Sequence, residues 1–143
     1  MFQIEFNEKN VKLNIKADGW EDAVRQGAQI LVDNGQVEPR YVDEIIKAIK
    51  KFGPYIVISD GLAIPHTRPE NGAIDIGFSL ITLEEPVKFD EETSPVNVMI
   101  CFSAVNGNSH LEILRMIVNF VEEGKIEKIA KLQNISELLE LTK

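Results

Sequence analysis

The chain has 143 residues, 44% of them hydrophobic and 27% charged, which is typical of one folded globular domain of about 100–150 residues. Its 15 basic and 23 acidic residues give a formal net charge of −8, which disfavours a nucleic-acid backbone or an anionic membrane surface as a partner. The most apolar segment, residues 96–105, has half the roughly 20 residues that a membrane-spanning helix needs. The single cysteine excludes an internal disulfide. Because the first residues lack the pattern of a signal peptide, we expect a cytoplasmic location.

The first third of the chain is predicted to form a hairpin and two helices. Residues 2–6 and 11–15 alternate apolar and polar side chains around a turn at residues 7–10, as in a β-hairpin. Apolar residues at helical spacing then run from Trp20 until Asn34 and Gly35 end the helix, and again from Pro39 to Gly53.

The remainder of the chain changes from strand to helix patterns. We predict strands in residues 55–59, 62–64, 75–83 and 96–102, and helices in 109–122, 125–132 and 135–141. Residues 84–92 are predicted to form an acidic loop in which Val87 and Phe89 are candidates for additional strand. Two early helices, a central sheet and later helices predict an α/β fold with the sheet covered on both faces.

The common phosphate, nucleotide and hydrolase motifs are absent from the sequence, which leaves two histidines as candidates for chemistry. His66 lies between Pro65 and Pro69, which restrict the backbone and predict a stiff segment presenting His66, Thr67 and Arg68 together. A neutral imidazole has one ring nitrogen free to act as a nucleophile, and a nearby hydroxyl and guanidinium suit the acceptance of a phosphoryl group. The alternative is that His66 is an ordinary loop histidine.

His110 lies where a polar loop becomes a helix, directly after the strand predicted at 96–102. The free N–H groups and the positive dipole end of a helix N-terminus attract phosphate. Since both histidines follow buried strands, we expect them to meet at one edge of the sheet. The alternative for His110 is an exposed residue at a helix start.

Several motifs, taken together, resemble those of one protein family. GLAIPH at 61–66, GFSL at 77–80, PVKF at 86–89 and NSHL at 108–111 are similar to the mannitol/fructose-type enzyme IIA of the bacterial phosphotransferase system, or PTS. FGPYIVI at 52–58 and PHTRPE at 65–70 resemble the ascorbate-type branch most closely.

This resemblance implies a fold, a reaction and partners. It implies a single IIA domain over residues 1–143, with a mixed β-sheet between helical layers. It implies a phosphoryl-carrying transferase in which His66 accepts a phosphoryl group from the phosphocarrier protein HPr and passes it to a cysteine of a IIB protein. The IIC membrane permease takes part only indirectly, and L-ascorbate is the candidate sugar.

The resemblance also implies roles for the other candidate residues. His110 corresponds to a second histidine that stabilises the phosphoryl group without being phosphorylated, and Arg68 matches an arginine of the ascorbate branch. Thr67, Arg68 and Ser109, which are neighbours of the two histidines in the sequence, are predicted to support the phosphoryl group. The relay requires no cofactor and no metal.

Two alternatives stay open at this point. A regulatory IIA module of the same fold would signal its phosphorylation state by docking to a partner, and its gene would stand apart from those of IIB and IIC components. A small-molecule hydrolase would use His66 and His110 as a pair, which a metal-free phosphatase assay would detect.

Overall fold

A computed structural model describes residues 5–143 of the chain. These residues form five strands and five α-helices, with a single 3-10 turn at Pro69–Asn71. The strands are β1 (Val11–Ile15), β2 (Val57–Ser59), β3 (Gly61–Ala63), β4 (Gly77–Val87) and β5 (Val96–Ser103). The helices are α1 (Trp20–Asp33), α2 (Pro39–Phe52), α3 (Gly107–Glu122), α4 (Lys125–Ile129) and α5 (Ile135–Leu141).

The five strands form one mixed sheet in the order β1-β4-β5-β3-β2. β1 is parallel to β4 and β3 is parallel to β5, whereas the β4–β5 and β2–β3 pairs are antiparallel. The central strand β5 is therefore parallel to its neighbour β3, although β4 lies between them in the sequence.

Alternating side chains of the central strands fill two separate cores. Ile81 and Cys101 pack with the buried faces of α1 and α2, whereas Leu80 and Ile100 on the opposite face pack with α3, α4 and α5. Successive side chains on a strand point to opposite faces, so one apolar strand serves both cores. The predicted α/β fold, with a mixed sheet sandwiched between helices, is confirmed.

Within residues 5–143, the structure does not show the predicted N-terminal hairpin. Phe2 and Ile4, in its first arm, lie outside the described residues, and Phe6 is in no strand but packs its ring on Phe78 at a centroid distance of 5.3 Å. The second arm forms β1, whose strand partner is β4. An alternating pattern predicts a strand but does not determine which distant strand it pairs with.

Several element boundaries also differ from the predicted ones, most clearly the end of β4 and the start of α3. β4 continues to Val87, which pairs with Val96 of β5, so Glu84 and Glu85 are exposed strand residues and not part of a loop. α3 begins at Gly107 because the Asn106 side chain caps it. No helix within residues 5–143 is long and apolar enough to cross a membrane.

Candidate active site

The parallel pairing of β3 with β5 brings the two histidines together. His66 follows β3 and His110 lies in the first turn of α3, which follows β5, so both stand beyond the carboxyl ends of adjacent strands. Their ring centroids are 6.0 Å apart. The expectation that the two residues meet at one edge of the sheet therefore agrees with the geometry.

The His66 ring is oriented by the backbone of its own segment. Its Nδ1 lies 2.7 Å from the carbonyl oxygen of Ile64, two residues earlier. A carbonyl oxygen only accepts hydrogen bonds, so Nδ1 carries the proton and donates it to Ile64. In the neutral ring this leaves the lone pair on Nε2, which makes Nε2 the nucleophilic atom.

One face of the His66 imidazole is covered by Phe102, at the end of β5. The two rings stack with a centroid distance of 4.4 Å and an interplanar angle of 19°, and Phe102 also contacts His110 edge-on at 5.6 Å. Burial lowers the pKa of His66, and the nearby His110 lowers it further, while the hydrogen bond to Ile64 acts in the opposite direction. The site therefore favours the neutral, nucleophilic form of His66.

The backbone next to His66 is joined to β5 through a buried tyrosine of α2. The Tyr41 hydroxyl lies 2.9 Å from the carbonyl oxygen of Phe102 and 3.1 Å from that of Thr67, and it accepts a hydrogen bond from the Thr67 N–H at 3.2 Å. Burial raises the pKa of Tyr41 to about 12, so the phenol is neutral.

Thr67 and Arg68 lie beside His66 but differ in how firmly they are placed. The Thr67 hydroxyl oxygen accepts a hydrogen bond from the Asn71 amide at 2.9 Å, which restricts its rotation. The Arg68 side chain is 84% exposed, and its guanidinium is 4.0 Å from the Glu70 carboxylate. Thr67 is thus fixed close to the histidine, whereas Arg68 lies on the surface.

The start of α3 is organised by its own N-cap. The Asn106 side chain accepts a hydrogen bond from the Ser109 N–H at 2.9 Å, and the Ser109 hydroxyl donates to the Asn106 carbonyl at 3.1 Å. Ser109 is buried in this cap, and its assignment as a phosphoryl contact stays a prediction. The cap fixes the turn that carries His110.

An open cavity of about 960 Å³ lies over the two histidines. Phe52 and Tyr55, both substantially exposed, supply its apolar wall. Three cationic side chains in the lining, Lys47, Lys51 and Arg68, outnumber its two carboxylates, Glu44 and Glu70. A nucleophilic nitrogen, a second imidazole and cationic side chains in one cavity can accept and stabilise an anionic electrophile such as a phosphoryl group.

Three residues of the site were not singled out from the sequence. Phe102 reads only as a buried strand residue, and Tyr41 falls on the buried face of α2, where a phenol requires a hydrogen-bond partner. Asn106 could have been found, because an asparagine before a helix is a strong N-cap signal.

Comparisons with known proteins identify the family of the chain. The family model described as "Phosphoenolpyruvate-dependent sugar phosphotransferase system, EIIA 2" matches residues 5–143. The ascorbate-specific PTS system EIIA component of Salmonella choleraesuis (strain SC-B67) is 40% identical over 135 residues, which cover 92% of this chain and 88% of the relative. The chain belongs to the EIIA 2 family of the phosphoenolpyruvate-dependent sugar phosphotransferase system.

Solved structures of other IIA proteins have the same fold as this chain. The mannitol-specific cryptic phosphotransferase enzyme IIA CmtB of Escherichia coli matches with a TM-score of 0.86 at 28% identity, over 96% of this chain and 94% of that one. The IIA chain in a complex of enzyme IIAMtl and phosphorylated enzyme IIBMtl of Escherichia coli matches with a TM-score of 0.83 at 27% identity, over 96% of each chain. The protein is a IIA component, a phosphoryl-carrying transferase of a sugar phosphotransferase system.

Proposed function

We propose that His66 is the residue that carries the phosphoryl group. Its Nε2 attacks the phosphorus of phospho-HPr, the N–P bond of the donor breaks, and a new Nε2–P bond forms. In the second step a cysteine thiolate of the IIB protein attacks the same phosphorus, and His66 leaves as a neutral imidazole. The observation that carries this proposal is the 2.7 Å hydrogen bond from Nδ1 to Ile64, because it directs the free lone pair of the neutral ring to Nε2.

The surrounding groups would stabilise the charge that develops on the phosphoryl oxygens. His110, with its ring centroid 6.0 Å from that of His66, is close enough for one phosphoryl group to contact both rings. The N-terminal turn of α3 supports negative charge through its dipole. Thr67 would donate its hydroxyl proton, Arg68 would contribute long-range attraction, and Ser109 would act by holding the α3 turn.

The proposed partners are HPr as donor and a IIB component as acceptor, with the IIC permease downstream. The complex of a related IIA with its phosphorylated IIB supports the acceptor. Identity of 40% to an ascorbate-specific EIIA component supports L-ascorbate as the sugar taken up and phosphorylated through this relay. These exchanges would take place in the cytoplasm.

The first experiment tests the phosphorylated atom. The protein is incubated with enzyme I, HPr and phosphoenolpyruvate, and the product is followed by intact-mass measurement and NMR of the labelled imidazoles. We expect one acid-labile phosphoryl group bonded to Nε2 of His66, none on His66→Ala, and slower formation of the same product on His110→Ala. Undiminished labelling of His66→Ala, or a phosphoryl group on Nδ1, would refute the assignment.

The second experiment tests the acceptor. Purified phosphoprotein is mixed with an ascorbate-type IIB or a mannitol-type IIB, and the rate of phosphocysteine formation is measured by rapid quench. We expect the ascorbate-type IIB to react much faster. Equal rates would contradict the ascorbate assignment, and no transfer to either protein would favour the regulatory alternative.

A further inference from the structure

Tyr41 connects the three parts of the molecule that meet at the site. It belongs to α2, its side chain is fully buried, and its hydroxyl contacts both the segment that carries His66 and the end of β5. The segment that carries His66 is also joined to β5 by a backbone hydrogen bond, from the Phe102 N–H to the Pro65 carbonyl at 3.3 Å. Beyond that point Tyr41 is what joins the backbone at Thr67 to β5.

We propose that Tyr41 is a positioning residue that fixes the His66 imidazole relative to Phe102 and His110. The proposal rests on His66 being the phosphoryl carrier. Tyr41 contacts the backbone next to each of the two stacked rings. Its hydroxyl accepts from the N–H of Thr67, which follows His66, and lies within hydrogen-bond distance of the Phe102 carbonyl.

The hydrogen-bonding capacity of the phenol matches this role. A tyrosine hydroxyl has one proton and can accept from other donors. At Tyr41 the oxygen accepts from the Thr67 N–H, and the proton is directed to the carbonyl of Phe102 at 2.9 Å or of Thr67 at 3.1 Å. With the side chain fully buried, water does not compete for these bonds. The position of Thr67 relative to β5 is therefore set by a single oxygen atom.

Loss of that oxygen should affect His66 through its backbone. In Tyr41→Phe the ring still fills its place in the core, but the Thr67 N–H and the Phe102 carbonyl lose their shared partner. Pro65 through Thr67 can then shift relative to β5, and the hydrogen bond from Nδ1 to Ile64 is no longer held in one geometry. Misplacement of a reacting group by about 1 Å can lower a rate by about 100-fold, so we expect a loss of about 10- to 100-fold in phosphoryl acceptance.

The experiment compares Tyr41→Phe with Ser79→Ala in the full-length protein. The Ser79 hydroxyl is also fully buried and donates to the Gly27 carbonyl at 2.7 Å, so this control loses a buried hydrogen bond away from the site. Acceptance is timed with phospho-HPr, and the ring nitrogens of unphosphorylated His66 are examined by ¹⁵N NMR. We expect the Nδ1–H tautomer in the wild type and Ser79→Ala, and mixed tautomers with slow acceptance in Tyr41→Phe.

Two outcomes would overturn the positioning role. One is a folded Tyr41→Phe protein with the wild-type rate and an unchanged tautomer. The other concerns the wild type and applies even where the variant does not fold: rapid hydrogen exchange of the Thr67 amide would contradict its bond to Tyr41. If phospho-HPr fails to label the wild type, the proposed function fails, whereas the NMR comparison still tests whether Tyr41 orients the ring.

Discussion

The His66 imidazole lies nearly parallel to the Phe102 ring, at a centroid distance of 4.4 Å and an angle of 19°. Phe102 is only 1% exposed and belongs to the core beneath α3, α4 and α5. The His66 ring thus rests on the hydrophobic core, which covers one of its faces and leaves the cavity side open. Because burial lowers the pKa of His66, this contact links the packing of the sheet to the protonation state of that ring.

Replacement of Phe102 by leucine should weaken that connection. The branched side chain still fills part of the core but offers no flat surface, so we expect slower phosphoryl acceptance and a His66 pKa closer to its ordinary value. The matched control is Phe78→Leu, because Phe78 lies directly opposite Phe102 on β4 and in the same core. Both changes should cost less than the roughly 3–5 kcal/mol typical of Phe→Ala. Equal rates for the two variants would contradict a specific role for Phe102.

The rate of phosphoryl acceptance should depend on pH through His66. Burial and the nearby His110 lower the pKa of His66, and only the neutral ring has a lone pair on Nε2. We therefore expect the rate to rise with pH, with the midpoint of the rise below the ordinary histidine pKa of about 6.5. The measurement is a pH–rate profile beside an NMR titration of His66. A midpoint at or above that value would contradict the lowered pKa.

The free energy of unfolding should also depend on pH through His66, and it should fall as the pH is lowered. In the unfolded chain His66 takes up a proton at a higher pH than in the folded chain, because its folded pKa is lowered. Its stabilising contribution is therefore fully present above about pH 6.5 and is lost as the pH falls through the folded pKa. The measurement is denaturant unfolding of the wild type and His66→Ala at a series of pH values on both sides of about 6.5. The unfolding free energy of the variant should lack the part of the pH dependence that comes from His66.

His110→Ala should slow both half-reactions while His66 remains able to react. Removal of one well-placed donor to a developing oxyanion costs on the order of 10²–10³ in rate, or about 3–4 kcal/mol. Arg68→Ala should have a smaller effect that shrinks with added salt, because its side chain is 84% exposed. Rapid-quench kinetics would measure the effects of His110→Ala and Arg68→Ala on the two half-reactions. The control is Arg115→Ala, which removes an exposed arginine on α3. Wild-type rates for His110→Ala would remove His110 from the mechanism.

The cap of α3 offers a test that separates stability from function. Asn106 and Asn134 cap α3 and α5 in the same way, each accepting one backbone N–H at 2.9 Å. Replacing either by alanine should cost about 1 kcal/mol of unfolding free energy, measured by denaturant titration. Only Asn106→Ala should also slow phosphoryl transfer, since α3 carries His110. A similar slowing in Asn134→Ala would show that lost stability alone accounts for the effect.

Local patterns predicted most of the elements. The apolar spacing in α1 and α2, with stop signals at Gly35 and Gly53, places these helices within a residue or two of their observed bounds. The apolar runs before His66 and His110 placed both residues after buried strands, and the parallel pairing of β3 with β5 accounts for their proximity.

Features that depend on distant residues could not be derived in this way. The partner of β1 is β4, far along the chain, so alternation at residues 11–15 gave a strand without its pairing. The role of Tyr41 depends on carbonyls 26 and 61 residues away, and nothing near position 41 in the sequence specifies those contacts. The spacing of apolar residues shows which face of a single helix or strand is buried. It does not show the β1–β4 pairing or the contacts of Tyr41, which form only when the helices pack on the sheet.

The strand order also determines when a newly synthesised chain can bring His66 close to Phe102 and His110. β3 receives its parallel neighbour only when β5 has been synthesised, because β4, which is made first, pairs on the far side of β5. A growing chain that ends at Val87 holds His66 but lacks both Phe102 and His110. Under the proposed relay, we expect such a truncated chain to accept phosphoryl groups much more slowly than the full chain, because Phe102 and His110 are both missing beside His66.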